Sequence, residues 1–165
     1  RVSAEILALR PTIVRGNASE ILSLAGSVSR GQGVDGRDSV TDAEAGARRL
    51  ADECGAVVAV TGAVDFVTDG ARAVRIAGGS ALMPLNTAMG CALTCLCGAY
   101  AAVADDPFAA SVAALAHFSV AGHDAEARAA GPGTFAPHFL DALRALSPGR
   151  LDREATIETI GAVEA

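Results

Sequence analysis

Apolar residues change their spacing several times along the chain, and each change marks an element. Arg10–Asn17 is a short β-like run closed by Gly16. Asn17 then caps a helix, with Glu20 in the capping-box position and Ile21, Leu22, Leu24 and Ala25 following at helical spacing. The glycine-rich stretch Ser29–Gly36 reads as a loop. Ser39 and Asp42 open a second helix, in which Val40, Ala43, Ala47, Leu50, Ala51 and Cys54 recur on one face until Gly55 ends it.

The pattern then turns strand-like. Ala56–Val60 is a continuous apolar run, suited to a strand covered on both faces of a parallel sheet, and Thr61-Gly62 follows its end. Asp65–Thr68 and Ala73–Ile76 are further strand candidates joined through Asp69-Gly70, a strong hairpin signal. Small residues dominate Ala88–Val103, which reads as a buried helix interrupted by Gly90, Thr94 and Gly98. Asp106-Pro107 starts the next helix, with Phe108, Val112, Leu115, Phe118 and Gly122 on one face. Gly131–Gly133 is a turn, and Phe135, Phe139, Leu143 and Leu146 mark the last clear helix. The order β-α-α-β-β-β-α-α-α predicts a layered α/β domain. Arg1–Leu9 reads as part of a further element, and the strands are fewer than a doubly wound sheet usually holds. Residues 1–165 are therefore expected to be the C-terminal portion of a single larger domain.

Composition narrows the class. With 165 residues, 51% hydrophobic and 19% charged, the chain can bury a sizeable core, which excludes intrinsic disorder and a disulfide scaffold. A net charge of −6 argues against a nucleic-acid or anionic-membrane partner. No apolar run reaches the roughly 18 residues of a spanning helix. No signal peptide is read at Arg1, so a cytoplasmic location is expected. Cys91, Cys95 and Cys97 lack the paired spacing of a zinc site, and Cys54, Cys95 and Cys97 read as small buried hydrophobes. His117, His123 and His138 share no metal spacing.

Three segments carry candidate chemistry. Asn86–Ala92 leads through a glycine-containing turn into a helix, whose free N–H groups and positive dipole end suit an anion such as phosphate. Cys91, in the first turn, feels the same field, which favours thiolate and marks it as a base or nucleophile, although packing alone also accounts for a Gly-Cys pair there. In Arg15–Glu20, Arg15 suits a phosphate and Glu20 a Mg²⁺, directly or through water, while Asn17 and Glu20 equally suit a plain capping box. Thr61 stands beyond the carboxyl end of a buried strand, where open α/β sheets bind ligands, or simply in a strand-terminating turn.

Together these segments resemble the hydroxyethylthiazole kinases of the ribokinase-like superfamily. The resemblance rests on Ile13–Glu20, Gly33-Val-Asp35, Val58–Gly62 with Val64-Asp65, Gly90-Cys91, Ala99–Ala102 and Gly131–Phe135, in that order. It implies a ribokinase-like α/β/α fold with a mostly parallel sheet whose N-terminal part lies outside this sequence. It further implies ATP-dependent phosphorylation of 4-methyl-5-(2-hydroxyethyl)thiazole, with Mg²⁺, in a homotrimer. By resemblance, Cys91 holds the catalytic position, Arg15 and Thr61 bind ATP, Ala88 contacts the thiazole, and Met89, Gly90 and Cys91 form the anion hole. Asn17 and Glu20 fall in the metal motif. The loop departs from the family pattern: it reads Thr87-Ala88-Met89-Gly90-Cys91, with Ala88 where Gly is usual and Met89 adding bulk. Another small-alcohol kinase of the superfamily, or a non-catalytic nucleotide-binding homologue, are the alternative readings.

Overall fold

The computed structural model describes residues 2–28 and 40–161. The predicted loop Ser29–Gly36, the Gly33-Val-Asp35 match and the Ser39 cap lie outside the described residues. The chain runs α1 (Val2–Ala8), β1 (Ile13–Asn17), α2 (Ala18–Val28), α3 (Val40–Cys54), β2 (Val57–Thr61), β3 (Val64–Thr68) and β4 (Ala73–Ala77). A 3₁₀ turn (Met83–Leu85) follows, then α4 (Met89–Ala101), α5 (Pro107–Glu126), α6 (Pro132–Ala145), α7 (Pro148–Glu154) and β5 (Thr156–Ile160).

The strands form one sheet in the order β1-β2-β3-β4-β5. β1 and β2 pair in parallel, with Arg15 beside Ala59 and Asn17 beside Thr61. That pair is a β-α-β unit in which α2 and α3 make the crossover. The remaining pairs, β2–β3, β3–β4 and β4–β5, are antiparallel. The expectation of a mostly parallel sheet therefore fails within the described residues. Loop length explains two of these pairs: Gly62-Ala63 and Asp69–Arg72 are too short for a crossover, so β3 and β4 each turn back on the strand before.

Period-two alternation splits the sheet's side chains between two cores. Val58, Val60 and Phe66 face α2 and α3, packing with Ile21, Ala47 and Leu50. Val57, Ala59, Val67 and Ile76 face the other way, onto α4, α5 and α6 through Leu93, Leu115, Phe118 and Phe135. The result is the layered α/β/α arrangement that the order of elements predicts. Val57–Val60 is buried throughout, as its unbroken apolar run requires.

Two helices depart from expectation. α4 is not buried on all sides: Leu93 and Cys97 face the core, whereas Cys91, Cys95 and Ala99 are exposed. Small apolar composition reads as burial in sequence, but only Leu93 and Cys97 are buried, with Met89, Leu96 and Tyr100 packing partly against the same core. Cys95 is accordingly no core residue. α6 begins inside the predicted turn, because Pro132 occupies its first position and needs no N–H partner there. β5 carried no apolar signal, since it is an exposed edge strand.

The β3–β4 hairpin is locked to α5. Gly70 takes φ +94°, and a Cβ there would collide with the Asp52 carboxylate. Arg72 donates to Asp69 at 2.7 Å and to both Asp106 carboxylate oxygens at 2.7 and 2.9 Å. Asp106 also caps α5 by accepting the Phe108 N–H at 3.0 Å. The Arg72 guanidinium holds the Asp106 carboxyl below the usual carboxylate range.

Candidate active site

The parallel pairing of β1 and β2 brings Arg15 and Thr61 together at one end of the sheet, 46 residues apart in sequence. Arg15 pairs in register with Ala59, so its side chain leaves the sheet on the α4 face. There its Nη2 donates to Thr61 Oγ1 at 2.6 Å, and the Thr61 hydroxyl donates onward to the Gly16 carbonyl at 3.3 Å. Arg15 Nε is buried without a hydrogen-bond partner. A guanidinium held by one hydroxyl in this way keeps donors available for an anion.

The first turn of α4 lies directly over that guanidinium. A Cβ on Gly90 would stand 2.7 Å from Arg15 Nη1, so any side chain there would displace the guanidinium from this position. The turn is entered through Ala88, at φ 67° and ψ 10°, and no side chain caps the helix. The first main-chain bond runs from the Ala92 N–H to the Ala88 carbonyl at 2.9 Å, which leaves the Met89, Gly90 and Cys91 N–H groups outside the helical ladder. An uncapped positive helix end and an under-bonded guanidinium thus share one place. Both favour negative charge.

They open onto a cavity of about 860 Å³. Of the residues singled out in sequence, Arg15, Asn17, Thr61, Ala88, Met89 and Gly90 line it. Glu20 and Cys91 do not. Cys91 is exposed, because it follows Gly90 by about 100° of helical turn and so points away from Arg15. Cys97 lies deeper, and burial pushes its thiol up to about 11 against the pull of Arg15, so it is an un-ionised packing group.

Asn17 and Glu20 form the capping box. Asn17 Oδ1 accepts from the Glu20 N–H and the Ser19 hydroxyl, each at 2.9 Å, and Glu20 Oε2 accepts from the Asn17 N–H at 2.7 Å. Among the described residues, no group of three or more His, Cys, Asp or Glu is arranged to hold a metal.

Asp65 is the residue that sequence reasoning left without a role. It lines the cavity and its Oδ1 accepts the Gly62 N–H at 2.9 Å, closing the turn between β2 and β3. Burial pushes its carboxyl up to about 6, while the Gly62 bond and the Arg15 charge pull it down. The signal was present as a polar residue at the start of an otherwise apolar strand.

Fold and site together define a ribokinase-like α/β protein with a cavity, lined by an arginine and an open helix N-terminus, at the end of its parallel strand pair. A family model described as the Hydroxyethylthiazole kinase family matches residues 1–149. The chain belongs to this family. It is 67% identical over 155 residues to the hydroxyethylthiazole kinase of Rhizobium etli, covering 93% of this chain and 60% of that protein. The Cereibacter sphaeroides enzyme of the same name is 59% identical over 157 residues, covering 95% and 60%. The solved structure of the hydroxyethylthiazole kinase protein from Pyrococcus horikoshii OT3 superposes with a TM-score of 0.87 at 32% identity, covering 97% of this chain and 59% of that one. The chain thus spans about 60% of the length of the curated relatives it matches.

Proposed function

We propose that the whole protein transfers the γ-phosphoryl group of ATP to the hydroxyl of 4-methyl-5-(2-hydroxyethyl)thiazole, in thiamine salvage. Residues 1–165 supply the nucleotide and phosphate half of the site as the C-terminal part of one ribokinase-like domain. The observation that carries this reading is the convergence of Arg15, Thr61 and the open α4 N-terminus on one cavity. The names of the relatives, at 57–67% identity, agree with it.

In this reading Arg15 and Thr61 bind ATP, and the Arg15 donors not used by Thr61 hold phosphate oxygens. The Met89, Gly90 and Cys91 N–H groups form the anion hole, where charge grows as the phosphoryl group moves. These donors are fixed before substrate arrives, so little reorganisation opposes transfer. Ala88 contacts the thiazole. Cys91, at the exposed edge of the same turn, accepts or orients the acceptor's hydroxyl proton.

Mg²⁺ fits only as a hydrated ion carried on the phosphates. Asn17 Oδ1 is engaged in the helix cap, whereas Glu20 bonds through Oε2, and its other oxygen accepts no hydrogen bond among the described residues. Glu20, through water, and Asn17 would flank the ion, which would neutralise phosphate charge when bound.

We further propose a cytoplasmic homotrimer. The four unpaired cysteines are in keeping with a reducing compartment. Among the described residues no helix is long and apolar enough to cross a membrane. Light scattering that returns a monomeric mass for the full polypeptide refutes the trimer.

The deciding assay is ATP turnover by the full polypeptide with the thiazole alcohol at millimolar concentration; no turnover ends the reading. Cys91→Ala is expected to lower kcat by about 10²-fold or more while leaving the ATP Kd within twofold. An unchanged kcat removes Cys91 from proton handling. Turnover with a different alcohol would favour another kinase of the superfamily, and ATP binding without transfer a non-catalytic homologue.

A further inference from the structure

We propose that Asp65 is the positioning residue of the phosphate-receiving turn, and that it takes up a proton when an anionic nucleotide enters the cavity. The inference rests on the nucleotide reading above and adds to it a residue and a proton.

Three observations carry it. Asp65 lies two residues before Val67 on β3, so it shares the sheet face that packs on α4 and α5 and borders the cavity. Its Oδ1 holds the Gly62 N–H at 2.9 Å, and Gly62 is joined to Thr61, which accepts from Arg15. One unbroken series of bonds therefore links the guanidinium, the threonine hydroxyl, the glycine turn and the carboxyl. Finally, no hydrogen bond or ion pair joins Arg15 and Asp65 among the described residues, so the carboxylate faces the cavity without direct neutralisation.

The charged groups around Asp65 are few. β1 contributes Arg15 and α5 the exposed Glu126. α4 contributes its open N–H groups and the Cys97 thiol, and residues 78–86 contribute no ionisable side chain. Arg75 on β4 is turned to the opposite face, where it donates to Glu44 at 2.7 Å. A polyphosphate laid on Arg15 and the α4 amides would add negative charge and offset the one nearby cation. Both effects drive the carboxyl toward its neutral form, in the direction burial has already taken it. The neutral acid keeps a carbonyl oxygen for the Gly62 N–H and gains an O–H donor for a phosphate oxygen.

The test is isothermal titration of the full polypeptide with metal-free ATP at pH 7.5, in buffers of different ionisation enthalpy. Wild type should take up between about half and one proton more per nucleotide than Asp65→Asn. Asp65→Asn, permanently neutral and still able to hold Gly62, should bind at least as tightly as wild type. Asp65→Ala, which releases the turn, should bind about tenfold more weakly. Equal proton counts in wild type and Asp65→Asn overturn the proton linkage, and equal affinities in the Asn and Ala variants overturn the positioning role. Should the variants not fold, ¹³C titration of the wild-type Asp65 carboxyl decides. Its midpoint must rise from about 6 by about one and a half units or more with ATP, and an unmoved midpoint overturns the inference. Wild type that binds no ATP sinks the nucleotide reading itself, an outcome distinct from binding without proton uptake.

Discussion

Ala88 enters α4 with φ 67° and ψ 10°, a left-handed conformation that an L-residue with a Cβ adopts at a cost. Replacing it with glycine should therefore stabilise the protein, although glycine usually weakens a helix region. Left-handed backbone costs alanine about 1–2 kcal/mol relative to glycine. Against this, glycine's greater freedom in the unfolded chain removes about 0.4–1 kcal/mol. The net expectation for Ala88→Gly is a gain of about 0.5–1 kcal/mol. At a urea m-value of about 2–3 kcal/mol/M, the midpoint should rise by roughly 0.2–0.5 M with m unchanged. Ala99→Gly supplies the internal control. Ala99 is an exposed interior position of the same helix, where glycine should cost about 0.5–1 kcal/mol. The same chemical change should thus act with opposite sign eleven residues further along. A lower midpoint for Ala88→Gly, or equal shifts for the two variants, refutes the claim that Ala88 is held in a strained conformation.

Three further outcomes are expected. Gly70→Ala combines an unfavourable φ of +94° with a Cβ driven into Asp52, and should lower stability by about 2 kcal/mol or more in denaturant melts. Arg15→Ala should weaken ATP binding by roughly 10–100-fold in equilibrium titrations, while Arg15→Lys, which keeps charge without the fork, falls between. The Asp65 carboxyl titrates higher in the folded protein than in the unfolded chain, so its contribution to stability is present at low pH and is lost as pH rises through about 6. Asp65→Asn should therefore be more stable than wild type at pH 7.5, by on the order of 1 kcal/mol after screening, with the difference gone near pH 4 in parallel melts.

Much of the fold is legible in the sequence, for physical reasons that differ by element. Asp69-Gly70 fixed the β3–β4 hairpin because its turn requires a positive φ, and Asp106-Pro107 fixed the start of α5 because a cap and a missing N–H coincide there. Strand direction was less legible. Apolar runs report burial, and Val57–Val60 is equally buried beside a parallel neighbour and an antiparallel one. β5 escaped notice because an exposed edge strand carries no core pattern. At the site, Arg15, Thr61 and Gly90 were each legible as local chemistry, but their convergence depends on pairing across the sheet. Cys91 shows the converse. Its place in the first turn of α4 was legible, while its outward direction depends on which face of the helix meets Arg15.

The contact between Gly90 and Arg15 has a consequence for how this loop can vary. Gly90 lacks a Cβ because the Arg15 guanidinium occupies that space, whereas Ala88 carries one despite a backbone that favours glycine. The two positions therefore obey different constraints. Backbone strain at 88 is local, and a single substitution can add or remove it without regard to any partner. Occupancy at 90 is shared with a residue on another strand, so a side chain there becomes tolerable only after Arg15 has shortened or moved. A change at 88 can therefore act alone, whereas a side chain at 90 displaces the Arg15 guanidinium and with it the donor to Thr61.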